Sequence, residues 1–429
     1  MNIKAIRGTK DILSKEARIW HVIEERAREL CELYGYQEIR TPILEEASLF
    51  SRSIGKASDI VRKEMYSFLD RKKRVLCLRP EATASVIRAY LEHGLDKSLS
   101  LVKFYYFGPM FRAERPQAGR LRQFHHIGVE AIGSLNPYLD VEVILLAVKI
   151  LQQIGVRGFN LQLNSVGCCK DRPGYKLILK RALKDKFKLL CPDCHSRYKL
   201  NLLRIFDCKN ESCRKITRRL PVIIDSFCPE CKTHFLKVQQ ILRSLNIPYV
   251  LNPHLVRGLD YYTKTCFEIV HPRLGAQNAI GAGGRYDDLA AELGGSPRPA
   301  VGFALGVERL LGALEPAGAG QAAKISPCVY IATVGEEPKQ LAFKLLHTLR
   351  TQGISSEMDY QNKSLKGQMR MADKLGVKYV AILGEEEMKE QVVILRNMQN
   401  KSQKKVQIDS LIDELKEDLR CCVPITAQN

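Results

Sequence analysis

Apolar residues recur at helical spacing from Lys15 to Tyr34, at Ile19, Val22, Ile23, Ala27 and Leu30, and Gly35 then supplies a C-terminal cap. Residues 35–42 predict a strand that Pro42 stops. Short strands are predicted at 74–79, 101–107 and 124–132, followed by a helix over 138–154. Further strands fall at 157–165 and 263–270, and 300–314 passes from strand to helix. Strands without regular intervening helices predict an antiparallel sheet flanked by helices, an α+β fold, rather than a doubly wound parallel sheet. Residues 315–323 are rich in Gly, Ala and Pro and read as a linker. Beyond them the pattern changes to strand 329–334, helix 336–352, strand 354–358, helix 364–376 and strand 378–383. That regular alternation predicts a small α/β domain with right-handed crossovers. The expected division is therefore 1–320 and 325–429. The Gln/Lys-rich stretch at 399–405 predicts a hairpin or loop.

With 429 residues the chain exceeds one usual core, which agrees with this division. No run of 18 apolar residues occurs, so no membrane span is expected. The first ten residues lack the apolar centre of a secretory signal, which makes the cytoplasm the expected compartment. The formal net charge of +20 suits a polyanionic partner, although a merely basic surface would give the same total. Its distribution is uneven: residues 170–245 hold 19 Lys and Arg against 7 Asp and Glu, a net +12. This segment reads as a basic docking insertion.

Gly281-Ala282-Gly283-Gly284-Arg285-Tyr286 is not a dinucleotide fingerprint, because Tyr286 occupies the last required glycine position, and no Walker-type loop occurs either. Phosphates would have to be held by side chains. Phe111-Arg112-Ala113-Glu114-Arg115-Pro116-Gln117-Ala118-Gly119-Arg120-Leu121-Arg122 places four arginines between two predicted strands. Arg257 precedes Gly258-Leu259-Asp260-Tyr261-Tyr262, and Arg309 ends Gly302-Phe303-Ala304-Leu305-Gly306-Val307-Glu308-Arg309. Guanidinium forks match phosphate oxygens and stay charged at any working pH. Any one of these arginines, taken singly, would more often be a solvated or salt-bridged surface group.

The ordered set changes that balance. Leu78-Arg79-Pro80-Glu81-Ala82-Thr83, Gly108-Pro109-Met110-Phe111-Arg112 with its loop through Gln123-Phe124-His125, Leu255-Val256-Arg257-Gly258-Leu259-Asp260-Tyr261-Tyr262, the run 283–287 and the run 302–309 together resemble the class II aminoacyl-tRNA synthetases, and specifically the histidyl-tRNA synthetase family. The resemblance extends from about residue 6 to residue 415. It implies a ligase that activates histidine with ATP and Mg2+, releases pyrophosphate, and transfers histidine to the terminal adenosine of its tRNA. It also implies a class II catalytic domain, a C-terminal α/β anticodon-binding domain, and a homodimer with Pro42 in the pairing motif. Residue by residue, it assigns the substrate ammonium to Glu81 and Thr83 with Ala82 between them, and the imidazole to Glu130 and Tyr262. His126, Tyr261 and Tyr286 complete the histidine site. Arg112 and Arg309 clamp the nucleotide with Arg120, Arg257 acts on the α-phosphate, and Arg115 and Gln117 serve the acceptor end of the tRNA. Two rival readings remain: a regulatory subunit of ATP phosphoribosyltransferase, which shares the fold without the reaction, and a non-catalytic RNA-binding zinc protein. Retention of Arg112, the 255–262 signature, Arg309 and a C-terminal α/β segment weighs against the first. The second leaves the carboxylates and tyrosines unexplained.

The sequence departs from the family pattern at Ala82, where glycine is usual, at Leu121 in place of a tyrosine, and at His126, where a glutamine helps hold the ammonium. An imidazolium at 126 would repel that ammonium, so histidine affinity is expected to fall on the acid side more steeply than in a His126→Gln variant. Two Cys-x-x-Cys knuckles, Cys191/Cys194 and Cys228/Cys231, suggest one closed structural zinc site, with Cys208 and Cys213 as possible further ligands. Reduced cysteines without metal are the alternative. A zinc-stiffened basic insertion would clamp the tRNA acceptor arm. The adjacent Cys168 and Cys169 receive no role.

Overall fold

Along the strand Gln123–Ile132 the chain alternates: Ile127, Val129 and Ala131 enter one apolar core, while His126, Gly128 and Glu130 turn to the opposite face. This period of two explains the architecture of the larger unit. In the computed structural model, which describes residues 3–55, 58–116, 119–275, 277–314 and 326–419 (418 and 419 by backbone only), the chain divides into two compact units, Met1–Ala322 and Ala323–Asn429. Residues 315–323, read above as a linker, lie outside the described residues.

The first unit is built on an eight-stranded sheet in the order Gln37–Glu38, Val102–Phe111, Gln123–Ile132, Ala300–Gly306, Ala279–Arg285, Thr263–Val270, Asn160–Ser165, Val250–Leu251. All pairings among the six inner strands are antiparallel, and each two-residue edge strand is added in parallel. The strand expected over 35–42 thus shrinks to Gln37–Glu38, and the one expected at 74–79 pairs elsewhere. It is the centre, Val75–Leu78, of a separate antiparallel sheet with Leu44–Glu46 and Ser67–Leu69.

Helices Ser14–Leu33 and Pro137–Ile154 cover one face of the large sheet. The first buries Trp20, Ile23, Ala27 and Cys31, and Gly35 follows it at φ +78°, a left-handed conformation that glycine adopts without a Cβ penalty. The second starts at Asn136, whose side chain accepts from the Tyr138 N–H at 3.0 Å, and ends at the left-handed Gly155. The opposite face carries a second apolar cluster that includes Tyr106, Met110, Tyr261, Tyr262 and Tyr286.

Between the second helix and the sheet lies an ion pair with no solvent exposure on either side chain. Arg285 Nη2 lies 2.6 Å from Asp140 Oδ2, and Arg285 also donates to the carbonyls of Ser134 and Asn136. Burial by itself would raise the Asp140 pKa, but the Arg285 guanidinium and the His234 hydrogen bond together outweigh it and hold the carboxyl below the usual range.

The Cys-rich insertion is helical, with Asp171–Leu183, Pro192–Leu200 and Glu211–Thr217 around its own small core from Tyr175 to Ile223. Pro229–Ser244 differs: it buries Phe235, Val238 and Leu242 in the main core. The second unit is a five-stranded sheet in the order Ser356–Met358, Val329–Thr333, Tyr379–Leu383, Val392–Asn397, Gln403–Gln407. Its first three strands are parallel and are linked through helices Pro338–Thr351 and Leu365–Leu375, while the last two form the hairpin around 399–402.

Candidate active site

On the sheet face opposite the long helices is a cavity of about 590 Å³, within the usual range for a small-molecule site. Neighbouring strands floor it, and the absence of side chains at two glycines makes it deep. A Cβ at Gly302 would stand 2.0 Å from Glu130 Oε2, and one at Gly128 would meet the Tyr106 ring at 2.2 Å. These glycines leave room for a buried carboxylate and a buried phenol.

At the inner end, Glu81 accepts the N–H groups of Thr83 (2.7 Å) and Ala84 (3.0 Å), at the start of helix Thr83–Glu92. Burial still raises its pKa above the ordinary carboxylate value. Thr83 donates from Oγ1 to Glu130 Oε1 at 2.7 Å, and the Tyr286 hydroxyl donates to Glu130 Oε2. Glu130, 1% exposed, lies beneath the lining and ties these groups together. Burial pushes its carboxyl up to about 8, although the hydroxyls of Tyr286 and Thr83 favour its charged form. Tyr261 and Tyr262 line the cavity with ring centroids 4.8 Å apart. Ala82 is packed in the apolar cluster below, with 1% exposure.

At the outer end stand the arginines. Arg112 donates from Nε to the Pro80 carbonyl at 3.0 Å and lies over the Phe124 ring. Arg309 donates to the carbonyls of Ala279 and Gln277, and Arg120 pairs with Glu114 at 2.5 Å. Arg257 pairs with Glu268 at 2.8 Å and lies over the Tyr262 ring, and its buried Nε has no hydrogen-bond partner among the described residues. All four arginines line the cavity. Arg115 is exposed, and Gln117 lies outside the described residues.

His126 lines the same cavity, and its buried Nδ1 has no partner among the described residues. Burial, with Arg112 and Arg79 nearby, lowers its pKa to about 3. This corrects the expectation of an acid-side switch: the imidazole stays neutral throughout the mildly acidic range. The KM for histidine should therefore follow parallel curves in the native protein and in His126→Gln from about pH 5 to about 8. Steeper acid loss in the native protein would disprove a neutral His126. For stability the sign is opposite to that of a gained partner. Below the ordinary histidine value of 6.5 the unfolded chain takes up a proton that the folded chain refuses until about 3, so this group removes stability as pH falls through that window.

Further contributors were missed in the sequence. Glu268 faces the cavity from the strand Thr263–Val270, where it is the one carboxylate and stands between the apolar Phe267 and Ile269; that contrast was a usable signal. Tyr106 lines the cavity with its hydroxyl 3.4 Å from Glu130 Oε1. Arg197, Arg204, Asp207 and Lys209 reach the cavity from the insertion, and Arg204 pairs with Asp59 at 3.2 Å. No local pattern marks them.

The structure also corrects the reading of one zinc site shared by the two knuckles. Cys191 and Cys194 group with Cys208 and Cys213, whereas Cys228 and Cys231 group with Cys168 and Asp171. Within each group one ligand atom per residue lies within 4.8 Å of the others. The knuckles begin two different helices, one in the insertion and one in the main core, and each finds its further ligands in a separate group.

The chain matches the family model described as histidyl-tRNA synthetase over residues 8–171 and 201–310, and the anticodon binding domain model over 328–418. It is 50% identical to the histidine–tRNA ligase of Natranaerobius thermophilus, with 97% of this chain and 99% of that protein covered. It is 44% identical to the histidine–tRNA ligase of Clostridioides difficile, covering 98% of this chain and 100% of that one. Among solved structures, the apo histidyl-tRNA synthetase of S. aureus is similar at a TM-score of 0.80 and 36% identity, with 97% and 100% covered.

Proposed function

This chain belongs to the histidyl-tRNA synthetase family, and from that premise we propose which of its side chains carry each step of the reaction. The overall activity is that of a histidine–tRNA ligase. Histidine and ATP give histidyl-adenylate and pyrophosphate, and the histidyl group then passes to the terminal adenosine of tRNA(His). ATP is used with Mg2+.

In the first step the histidine carboxylate is already a nucleophile, so the protein's task is positioning and charge stabilisation. Glu81 and Thr83 hold the α-ammonium, with neutral His126 available to accept a further hydrogen bond. Tyr262 reads the imidazole, backed by Glu130 beneath the lining through its bonds to Thr83 and Tyr286, with Tyr261 and Tyr286 closing the wall. A buried carboxylate and phenol reject amino acids that cannot satisfy them. Arg112, Arg120 and Arg309 hold the nucleotide phosphates. Arg257 faces the α-phosphate, where negative charge builds as pyrophosphate leaves. Arg115 and Gln117 hold the acceptor end of the tRNA.

What carries this reading is the convergence of Glu81, Thr83, Arg112, Arg257, Tyr262 and Arg309 on one cavity from separated segments of the chain. The homodimer has support in the exposed Ile43, Leu69 and Val75, apolar side chains on one face of the small sheet next to Pro42. Among the described residues no helix is long and apolar enough to cross a membrane, and we assign the protein to the cytoplasm. Cys191, Cys194, Cys208 and Cys213 fit a structural zinc site: Sγ of Cys191 and Cys208 are 3.7 Å apart, close to the edge of a ZnS4 tetrahedron, about 3.8 Å. A bound zinc would stiffen the arm that carries Arg197 and Arg204, and the basic insertion would clamp the tRNA.

Two assays on the purified protein test both halves of the reading. Pyrophosphate exchange should require histidine, and no other amino acid should support it; exchange with another amino acid alone would overturn the site assignment. In a variant with the basic insertion shortened, the tRNA KM should lose part of its salt dependence. An unchanged slope would refute the clamp.

A further inference from the structure

The insertion leaves the catalytic sheet after the strand Asn160–Ser165 and returns at the helix Pro229–Ser244. At this root lie Cys168, Asp171, Cys228 and Cys231, the first of which had no role in the sequence reading. We propose that these four residues bind a second metal ion of the zinc class, so that each chain holds two, and that this ion clips the outgoing and returning segments together.

The separation of the Cys168 and Cys228 sulfurs, 3.9 Å, is close to the edge of a tetrahedron around zinc, about 3.8 Å for bonds of about 2.3 Å. Each half of the site is organised by the backbone. Cys228 caps the 16-residue helix Pro229–Ser244, and Pro229 at the first helical position directs the chain so that Cys231 falls in the first turn. The amide groups and dipole of that helix end favour thiolates. On the other half, Gly167 turns at φ +65° to present Cys168.

Asp171 joins the halves. Its Oδ2 accepts the Cys168 N–H at 3.0 Å, and its Oδ1 accepts the Cys228 N–H at 2.6 Å. Each oxygen keeps a lone pair, so either can be the fourth ligand without giving up these bonds. Three thiolates and one carboxylate would carry four negative charges, and a divalent ion removes half of them.

The site lies one residue from a contact with the catalytic pocket. Arg172 follows Asp171 and donates to the carbonyl of Tyr262 and to that of Val166. The ion would therefore fix both the base of the insertion and the segment that presents Tyr262. This differs from the Cys191–Cys213 cluster, which lies in the insertion's own core. The inference does not depend on the catalytic roles proposed above.

The test is the metal content of the full-length protein, purified under reducing conditions without chelator, by elemental analysis. We expect two zinc ions per chain, one per chain in Cys168→Ser and in Cys228→Ser, one in Cys208→Ser, and none in the Cys208→Ser/Cys228→Ser double variant. One ion per chain in the native protein, retained in Cys228→Ser, would overturn the proposal. Should a variant fail to fold, cobalt(II) titration of the native apoprotein decides instead. Its thiolate-to-cobalt absorption should rise to two equivalents, and saturation at one equivalent would overturn the proposal.

Discussion

Arg257→Ala should lower the turnover of histidine-dependent pyrophosphate exchange about a thousandfold, the upper end of the loss seen when one preorganised charge-stabilising group is removed, while leaving the KM for histidine nearly unchanged. The guanidinium is held in place before substrate arrives, by Glu268 at 2.8 Å and by the face of Tyr262. Little reorganisation is then needed as charge develops on the α-phosphate. Arg112 and Arg309 hang from other backbone carbonyls, so nucleotide binding survives the change. Arg257→Lys should recover little, because a lysine cannot reproduce the fork that reaches Glu268 and a phosphate oxygen together. Single-turnover adenylate formation separates this from slow product release. A loss of less than tenfold in that step would remove Arg257 from the α-phosphate.

Arg285→Met should destabilise the larger unit by about 3–5 kcal/mol, because it strands a buried carboxylate. Asp140 is fully buried, and after the substitution its remaining side-chain partner among the described residues is His234, whose Nε2 lies 3.1 Å away. The carbonyls of Ser134 and Asn136 would lose their donor as well. A second change, Asp140→Asn, removes the stranded charge and should recover much of the loss. Thermal unfolding followed by calorimetry, which separates the transitions of a two-unit chain, measures both effects. Equal midpoints for Arg285→Met and the native protein would show that the pair contributes nothing net.

Much of the chain was readable as local pattern. The helices Ser14–Leu33 and Pro137–Ile154, the strands at 123–132 and 263–270, and the strand–helix alternation of the C-terminal unit up to residue 383 follow from periods of 3.6 and 2 that neighbouring residues impose. The Gly281–Tyr286 run was correctly excluded as a dinucleotide loop, since it forms an inner strand ending in Arg285 and its glycines admit close strand packing. Less legible were features that depend on which segments become neighbours. The 74–79 strand was recognised as a strand, but nothing local shows that it joins a separate small sheet.

Residue chemistry and order along the chain therefore determined the family, the two kinds of unit, and several of the arginines, carboxylates and tyrosines that line the cavity. The tertiary structure alone decided which groups meet. Arg285 and Asp140 are 145 residues apart, Arg257 pairs with Glu268 across a strand boundary, and the cysteine knuckles divide between two clusters instead of sharing one. It also decided the state of His126, which sequence read as a switch and burial beside Arg112 and Arg79 makes neutral. The physical reason is the same in each case. Helix and strand periodicity are properties of adjacent residues, whereas burial, charge pairing and ligand geometry depend on distances that exist only after distant segments have packed together.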